Sequence, residues 1–371
     1  MTAVSYCAEF VFPGHPDKLA DAIADALVAE AMRREARALV GLEVAVHRAA
    51  VYVTGRIACQ DAEAIDVPAV VRSVYHSAGY GPAWQPAPAD LVVHADLCLG
   101  PLEDGEAQLR SLSDDQVICI GHAVDSPATQ YLPIEQFLVQ RLAKRLHGLR
   151  DTQAALALGP DGKVILALRC ESGRHELDWF STSLQQRADA DAIGLHRAVR
   201  LALEDELAAL ATQIPGLSPV APHEISVNGA GAFEIGGPEG DNGLSGKKLV
   251  MDAYGPRIPI GGGAWSGKDF FKADRAGGLY ARRLARLIVQ LGHAAEVTVT
   301  LGCRPGDRAP TLFNVSGVTL PIARRCAALL DASLEDSGRR WSAAAGDLVD
   351  IARWGHFTQV EGRPWEQMGG W

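Results

Sequence analysis

Apolar residues recur every three or four positions across Leu19, Ile23, Ala26, Leu27 and Ala31, a period that lines one face of an α-helix and predicts one beginning near Pro16. The same period predicts helices within 134–142, 198–210 and 280–291. Alternating and β-branched runs at 43–53, 91–94, 164–169, 224–227 and 296–301 predict strands. Gly/Pro clusters interrupt the pattern at 79–86 and again at 100–105, where a polar stretch opens that runs to Ser113. Each third of the chain therefore mixes strands with long helices, which points to an α+β protein. The expected divisions are 1–100, 113–230 and 231–371.

Composition narrows the function. With 48% hydrophobic and 22% charged residues in 371, the chain has the make-up of an ordinary multi-domain globular protein. A net charge of −10 excludes a broad nucleic-acid surface, which needs a basic footprint, so any polyanion site has to be a local basic pocket. Seven scattered cysteines with no C-x-x-C pair indicate neither a disulfide framework nor a zinc site. No leader and no apolar run of about 18 residues is legible, so a cytoplasmic protein without a membrane partner is expected.

A basic pocket is written into three motifs. The segment Gly261-Gly262-Gly263-Ala264-Trp265-Ser266-Gly267-Lys268-Asp269-Phe270-Phe271-Lys272-Ala273-Asp274-Arg275 sets lysines and aspartates behind a glycine-rich bend. Glycines let backbone N–H groups approach anionic oxygens, lysines add charge, and aspartates suit Mg²⁺. Gly262 to Lys268 matches the spacing of a P-loop, but Asp269 stands where that motif needs a hydroxyl for its metal. Near the start, Gly14-His15-Pro16-Asp17-Lys18 presents a turn at the positive end of the first predicted helix. Between them, Gly236-Gly237-Pro238-Glu239-Gly240-Asp241-Asn242-Gly243-Leu244-Ser245-Gly246-Lys247-Lys248 is a turn-rich loop ending in paired lysines.

In this order and spacing, together with Ser113-Asp114-Asp115-Gln116 and the tail motifs Gly355-His356-Phe357 and Pro364-Trp365-Glu366, the chain resembles the S-adenosylmethionine synthetases (methionine adenosyltransferases) over nearly its whole length. The resemblance implies three similarly built α/β-sandwich domains in a pseudo-threefold arrangement. It also implies a homodimer with active sites at the subunit interface, the choice between dimer and tetramer staying open. The implied reaction is attack of the methionine sulfur on C5′ of ATP, expelling triphosphate that is cleaved to phosphate and pyrophosphate. Because the leaving group carries away the charge, catalysis there rests on positioning and on cations.

Carried over residue by residue, His15 matches the imidazole near the bond that breaks, and Lys18, Lys247, Lys248, Lys268 and Lys272 match the phosphate cations. Asp17 and Asp274 match ligands of Mg²⁺, two ions being implied. Phe233 matches the ring on which adenine stacks, or else is plain core. Asp241 matches an acid beside the nucleotide, or else is a turn-forming residue. Asp115 matches the acid that receives the methionine ammonium, with Asp114 one position away. Gln108 is aligned with the glutamine that contacts the substrate carboxylate. Glu43 matches a K⁺ ligand of bacterial members and reads equally as a buried structural acid.

Several positions depart from the family. Arg56 replaces the glutamate of G-E-I, reversing the local charge at a position that helps hold the amino acid. An unpaired guanidinium there would repel an ammonium and welcome a carboxylate or phosphate. Pro13 replaces a glutamate, Lys247-Lys248 an Arg-Lys pair, and Ile260 a histidine. A lysine expected in a D-A-K-S-Q-V context aligns with Thr152 and Gln153, and the 100–113 loop is shorter than the family's gate. Three functions are therefore carried forward: synthesis of S-adenosylmethionine, the same transfer to a methionine analogue selected by Arg56, and a non-catalytic nucleotide-binding paralogue.

Overall fold

The computed structural model describes residues 3–357 and 363–367. Eleven strands form three sheets: β1 (Val4–Val11), β2 (Leu39–His47), β3 (Ala50–Ala58), β4 (Val92–Gly100), β5 (Val117–Val124), β6 (Leu158–Glu171), β7 (Arg174–Gln186), β8 (Glu224–Val227), β9 (Gly243–Leu244), β10 (Glu296–Cys303) and β11 (Leu312–Ser316). The sheet orders are β1-β6-β7-β8, β4-β3-β2-β9 and β11-β10-β5. Long helices cover one side of each: Ile134–His147 and Ala192–Ala211 on the first, Pro16–Arg34 and Val67–Ala78 on the second, Ala273–Gln290 and Leu320–Ala327 on the third. The fold is α+β, one sheet-and-helix unit built three times.

Sheet membership crosses the chain. Strand β1 pairs with β6 from Val4↔Cys170 to Val11↔Lys163, and β5 pairs with β10 from Val117↔Cys303 to Val124↔Glu296. The run 43–53, expected as one strand, is instead a hairpin of β2 and β3, because the chain reverses at Arg48, whose φ is 50°. In β2 the alternation is strict: Val40, Leu42, Val44 and Val46 are buried against the first helix, while Gly41, Glu43, Ala45 and His47 point the other way. Among the described residues no helix is long and apolar enough to cross a membrane.

The first helix, Pro16–Arg34, starts where the sequence predicts, with His15 as N-cap and Pro16 in the first turn. It is buried nearly all round, between the β2 sheet and the Leu348–Trp354 helix. Asp17, Lys18, Asp21 and Asp25 go inside with it, at no more than 1% exposure, which an amphipathic pattern alone does not predict.

The tail closes the third unit. Glu366 accepts from Arg282 Nε and Nη2, both at 3.1 Å, and lies 3.0 Å from Arg286. Arg282 spends its other N–H groups on the carbonyls of His122, Tyr131 and Gln130. Trp365 donates to His356 O at 2.8 Å and packs on Phe270 of the glycine-rich segment. Removing one member of a buried pair leaves the other charge uncompensated, which costs about 3–5 kcal/mol. Glu366→Ala should therefore lower the thermal midpoint by several degrees; an unchanged midpoint would show that the Arg282 cluster does not need its counter-ion.

Candidate active site

Aspartates 17, 21 and 25 lie four residues apart, on one face of the first helix. Each captures a backbone N–H of a glycine-rich loop: Asp17 takes Leu244 N at 2.9 Å, Asp21 takes Gly246 N at 2.7 Å, and Asp25 takes Gly267 N at 3.0 Å. Each also has a cation. Lys248 Nζ is 2.9 Å from Asp17, Lys18 is 3.6 Å from Asp21, and Arg275 grips Asp25 through two bonds of 2.8 and 2.9 Å. Burial pushes Asp21 up to about 7 against the pull of Lys18, and raises Asp25 and Asp252 as well. Lys18 is fully buried, held by Asp252 and by Ala352 O at 2.9 Å. Its charge therefore balances the helix's own acids and does not reach the cleft.

At the N-terminal end of this row opens a cavity of about 360 Å³, walled by His15, Asp161, Lys163, Asn228, Phe233 and Asp241. Phe233 presents its ring as a half-buried wall of the cavity and is not core. Gly237 (φ 61°) passes so close to the Tyr80 hydroxyl that no side chain fits there, and that hydroxyl donates to Gly14 O at 2.6 Å. Asp161 accepts from Gly237 N at 2.7 Å, and burial raises its carboxyl to about 6. Burial lowers His15 to about 4, opposed by nearby Asp17. Its Nδ1 accepts from Asp17 N at 3.2 Å, so the neutral ring keeps its proton on Nε2. Asp241 is exposed, accepts from Asn242 N at 2.7 Å and lines the cavity.

The lysines are spread along the row. Lys247 is 3.8 Å from Asp17, Lys268 donates to Glu43 at 2.8 Å, and Lys272 is paired with Asp114. Glu43 sits on the open face of β2, 58% exposed and accepting from Ser245 Oγ at 2.7 Å, so the buried-acid reading does not hold. Asp274 is half-buried at the start of the Ala273–Gln290 helix, its carboxyl raised by burial against the pull of Lys268. Gly263 lies directly against this carboxylate, leaving no room for a Cβ. Asp269 is the hub of the segment, accepting from Val40 N at 2.7 Å, from Phe271 N at 2.8 Å and from the Arg110 guanidinium. Arg275 adds a bond of 3.0 Å to Lys268 O, fixing the lysine's backbone.

Arg56 is not free. It holds Glu106 through two bonds of 2.9 Å and donates to Cys98 O and Pro101 O at 3.3 and 3.0 Å. Asp115 is exposed and engaged with Gln116 N at 2.7 Å; its neighbour Asp114, not Asp115, meets Lys272. Gln108 lies exposed on the short Asp104–Leu109 helix. Among the described residues no three His, Cys, Asp or Glu side chains converge on one point. Asp17 and Asp274 suit a hard cation only as single carboxylates, the rest of its oxygens coming from phosphate and water.

The sequence reading missed Lys163, Asp161 and Arg110. Thr152 and Gln153, aligned with the expected central lysine, lie on the exposed end of the Leu149–Thr152 helix, outside the cavity wall. Lys163 stands in that wall, paired with Glu9. The tripeptide Asp161-Gly162-Lys163 was the available signal, an acid and a lysine two apart as in D-A-K.

The models of the S-adenosylmethionine synthetase N-terminal and C-terminal domains match residues 3–91 and 235–367. The chain is 30% identical to the S-adenosylmethionine synthase of Aquifex aeolicus, covering 97% of this chain and 96% of that protein. Against the enzyme of Desulforudis audaxviator identity is 32%, covering 98% and 95%. Against S-adenosylmethionine synthase 1 of Frankia casuarinae it is 33%, covering 96% and 94%. With both domain models matched and relatives aligned from end to end, the chain belongs to the S-adenosylmethionine synthetase family of enzymes.

Proposed function

We propose that this enzyme joins ATP and L-methionine, the methionine sulfur attacking C5′ and the triphosphate leaving to be cleaved to phosphate and pyrophosphate. The observation that carries the reading is the aspartate row. It brings a cavity with an aromatic wall and a neutral imidazole into line with lysines from two glycine-rich loops. Phe233 offers a face for adenine and Asp241 a polar rim. His15, neutral with its proton on Nε2, donates a hydrogen bond toward the oxygen that gains charge as the C5′–O bond breaks. Lys163, Lys247, Lys248, Lys268 and Lys272 receive the triphosphate, releasing the four carboxylates that now pair with them, Glu9, Asp17, Glu43 and Asp114. Lys18 positions the first helix from behind.

Asp17 and Asp274 are the carboxylates that would hold Mg²⁺, two ions in this reading, and Glu43 would hold K⁺. Magnesium bound there would neutralise charge on the leaving triphosphate. Asp115, Asp114 and Gln108 form the acceptor end. Transfer to an analogue chosen by Arg56 loses its support, since the guanidinium is already matched by a carboxylate. A non-catalytic paralogue has no reason to keep the lysines and aspartates converging. Uncovered sheet faces carrying Tyr52, Val92 and Ile118, each about half exposed, support a homodimer that completes the sites.

Incubation with ATP, Mg²⁺ and methionine should yield S-adenosylmethionine by mass spectrometry, with phosphate and pyrophosphate in equal amounts; ADP with one phosphate would overturn the reading. Lys163→Ala, Lys268→Ala and Asp274→Asn should each lower kcat by about 10²-fold, the cost of losing one group that stabilises transition-state charge. Thr152→Ala should be silent, and a Thr152 variant as impaired as Lys163→Ala would return the central lysine's place to 152. Titration gives a further check, because kcat/KM reports groups of the free enzyme. With His15 lowered to about 4 and Asp161 raised to about 6, activity should rise with pH through about 6 as Asp161 ionises. That limb should persist in His15→Asn and vanish in Asp161→Asn; its loss in His15→Asn alone would assign it to the imidazole.

A further inference from the structure

The face of the second sheet that turns away from the first helix reads as a row of site contacts. Glu43 meets Lys268, and Gly41, two residues earlier, lies against the end of the Lys272 side chain, 3.9 Å from Cε to a Cβ built on the glycine. Arg56 is the cross-strand neighbour of Gly41 in the β2–β3 register and of Cys98 in the β3–β4 register. Its backbone therefore lies one strand spacing, about 5 Å, from Gly41, the residue against which the Lys272 side chain ends. From there it reaches the chain that leaves β4. Two N–H groups bind the Glu106 carboxylate and two more bind the carbonyls of Cys98 and Pro101.

Glu106 has a second task. Its side chain accepts from Glu103 N at 3.0 Å, closing a capping box at the start of the Asp104–Leu109 helix. The far end of this helix is fixed by Arg110, which is buried, donates to Ala38 O at 2.9 Å, grips Asp269 and lies 4.6 Å over the Phe271 ring. The segment between β4 and Ser113 is thus fastened at one end to the sheet edge by Arg56 and at the other to the lysine-bearing loop by Arg110.

We propose that Arg56 and Glu106 are a positioning pair: their bidentate bridge docks the Asp104–Leu109 helix beside Lys272 and Asp114, and so sets how tightly the acceptor amino acid is held. The acceptor part rests on the function proposed above; the docking part does not. Because the pair is only partly buried, at 23% and 25% exposure, breaking it loosens the segment without unfolding the protein. Arg110 has no such freedom, since its loss strands a buried Asp269.

The test compares wild type, Arg56→Gln, Glu106→Gln and the double variant Arg56→Gln/Glu106→Gln. Glutamine at 106 keeps the capping acceptor and loses the charge. Hydrogen exchange of peptides from 101–112 should quicken about three- to tenfold in both single variants and no further in the double variant, with 39–47 and 117–124 unchanged. The KM for methionine should rise by a similar factor, while the KM for ATP stays level, and it should rise no further in the double variant. Unaltered exchange in Arg56→Gln overturns the docking role. Faster exchange with an unmoved methionine KM overturns the acceptor role. A wild type that makes no sulfonium product overturns the functional reading, and the exchange measurement still decides the docking.

Discussion

Everything at this site hangs from three carboxylates on one buried helix. Asp17, Asp21 and Asp25 bind N–H groups 227, 225 and 242 residues further along the chain. Ionised or not, an aspartate inside a protein has to be matched by donors or cations, and each of these has both. Leu244, Gly246 and Gly267 are therefore held where the helix puts them, and the lysines that follow them arrive with their backbones already set. The placing of these lysine-bearing loops is inherited from the helix, a rigid element.

Paired carboxylates make the lysines tolerable side by side. Lys163, Lys248, Lys268 and Lys272 each rest against a separate carboxylate on the surrounding walls. In the pairs of Lys163, Lys268 and Lys272 the carboxylate is at least one-third exposed, so parting it from its lysine costs little, whereas Asp17 beside Lys248 is buried. Lys18 is the opposite case: its ammonium is sealed among Asp252, Asp21 and Ala352 O, where no ligand reaches it. The five motif lysines therefore divide by burial into one, Lys18, that builds the scaffold and four, Lys247, Lys248, Lys268 and Lys272, that stay accessible.

Much of this was legible beforehand, for a physical reason. Motifs that bind phosphate are local, because glycine bends and their adjoining lysines act over a few residues, so G-H-P-D-K and the two glycine-rich loops could be read directly. The helix after Pro16 was equally plain from its period. What the sequence hid is long-range. The run 43–53 looked like one strand because its apolar alternation continues through the reversal at Arg48, an αL position that nothing but the fold demands. Lys163 was overlooked because Asp161-Gly162-Lys163 merges into the strand 164–169, and only β1 pairing, Val11↔Lys163, brings it beside the His15 turn. Lys18 looked catalytic because burial on both sides of a helix cannot be inferred from an amphipathic stripe.

Arg56 shows what such distance does to a motif argument. Taken alone, a guanidinium where relatives carry a carboxylate reverses the charge by two units and suggests a changed acceptor. Its effect on a ligand depends instead on the local sum, and Glu106, fifty residues away in sequence, cancels the guanidinium charge within hydrogen-bonding distance. The reversal is also mutual: the arginine lowers the Glu106 carboxyl through their hydrogen bonds, and Glu106 raises the guanidinium in return. A pair that holds both partners in their charged forms presents almost no net charge to a neighbouring group. The departure from G-E-I is therefore better understood as a neutralised position than as a reversed one, its balancing carboxylate lying on the neighbouring helix, where it also fastens the chain that carries it.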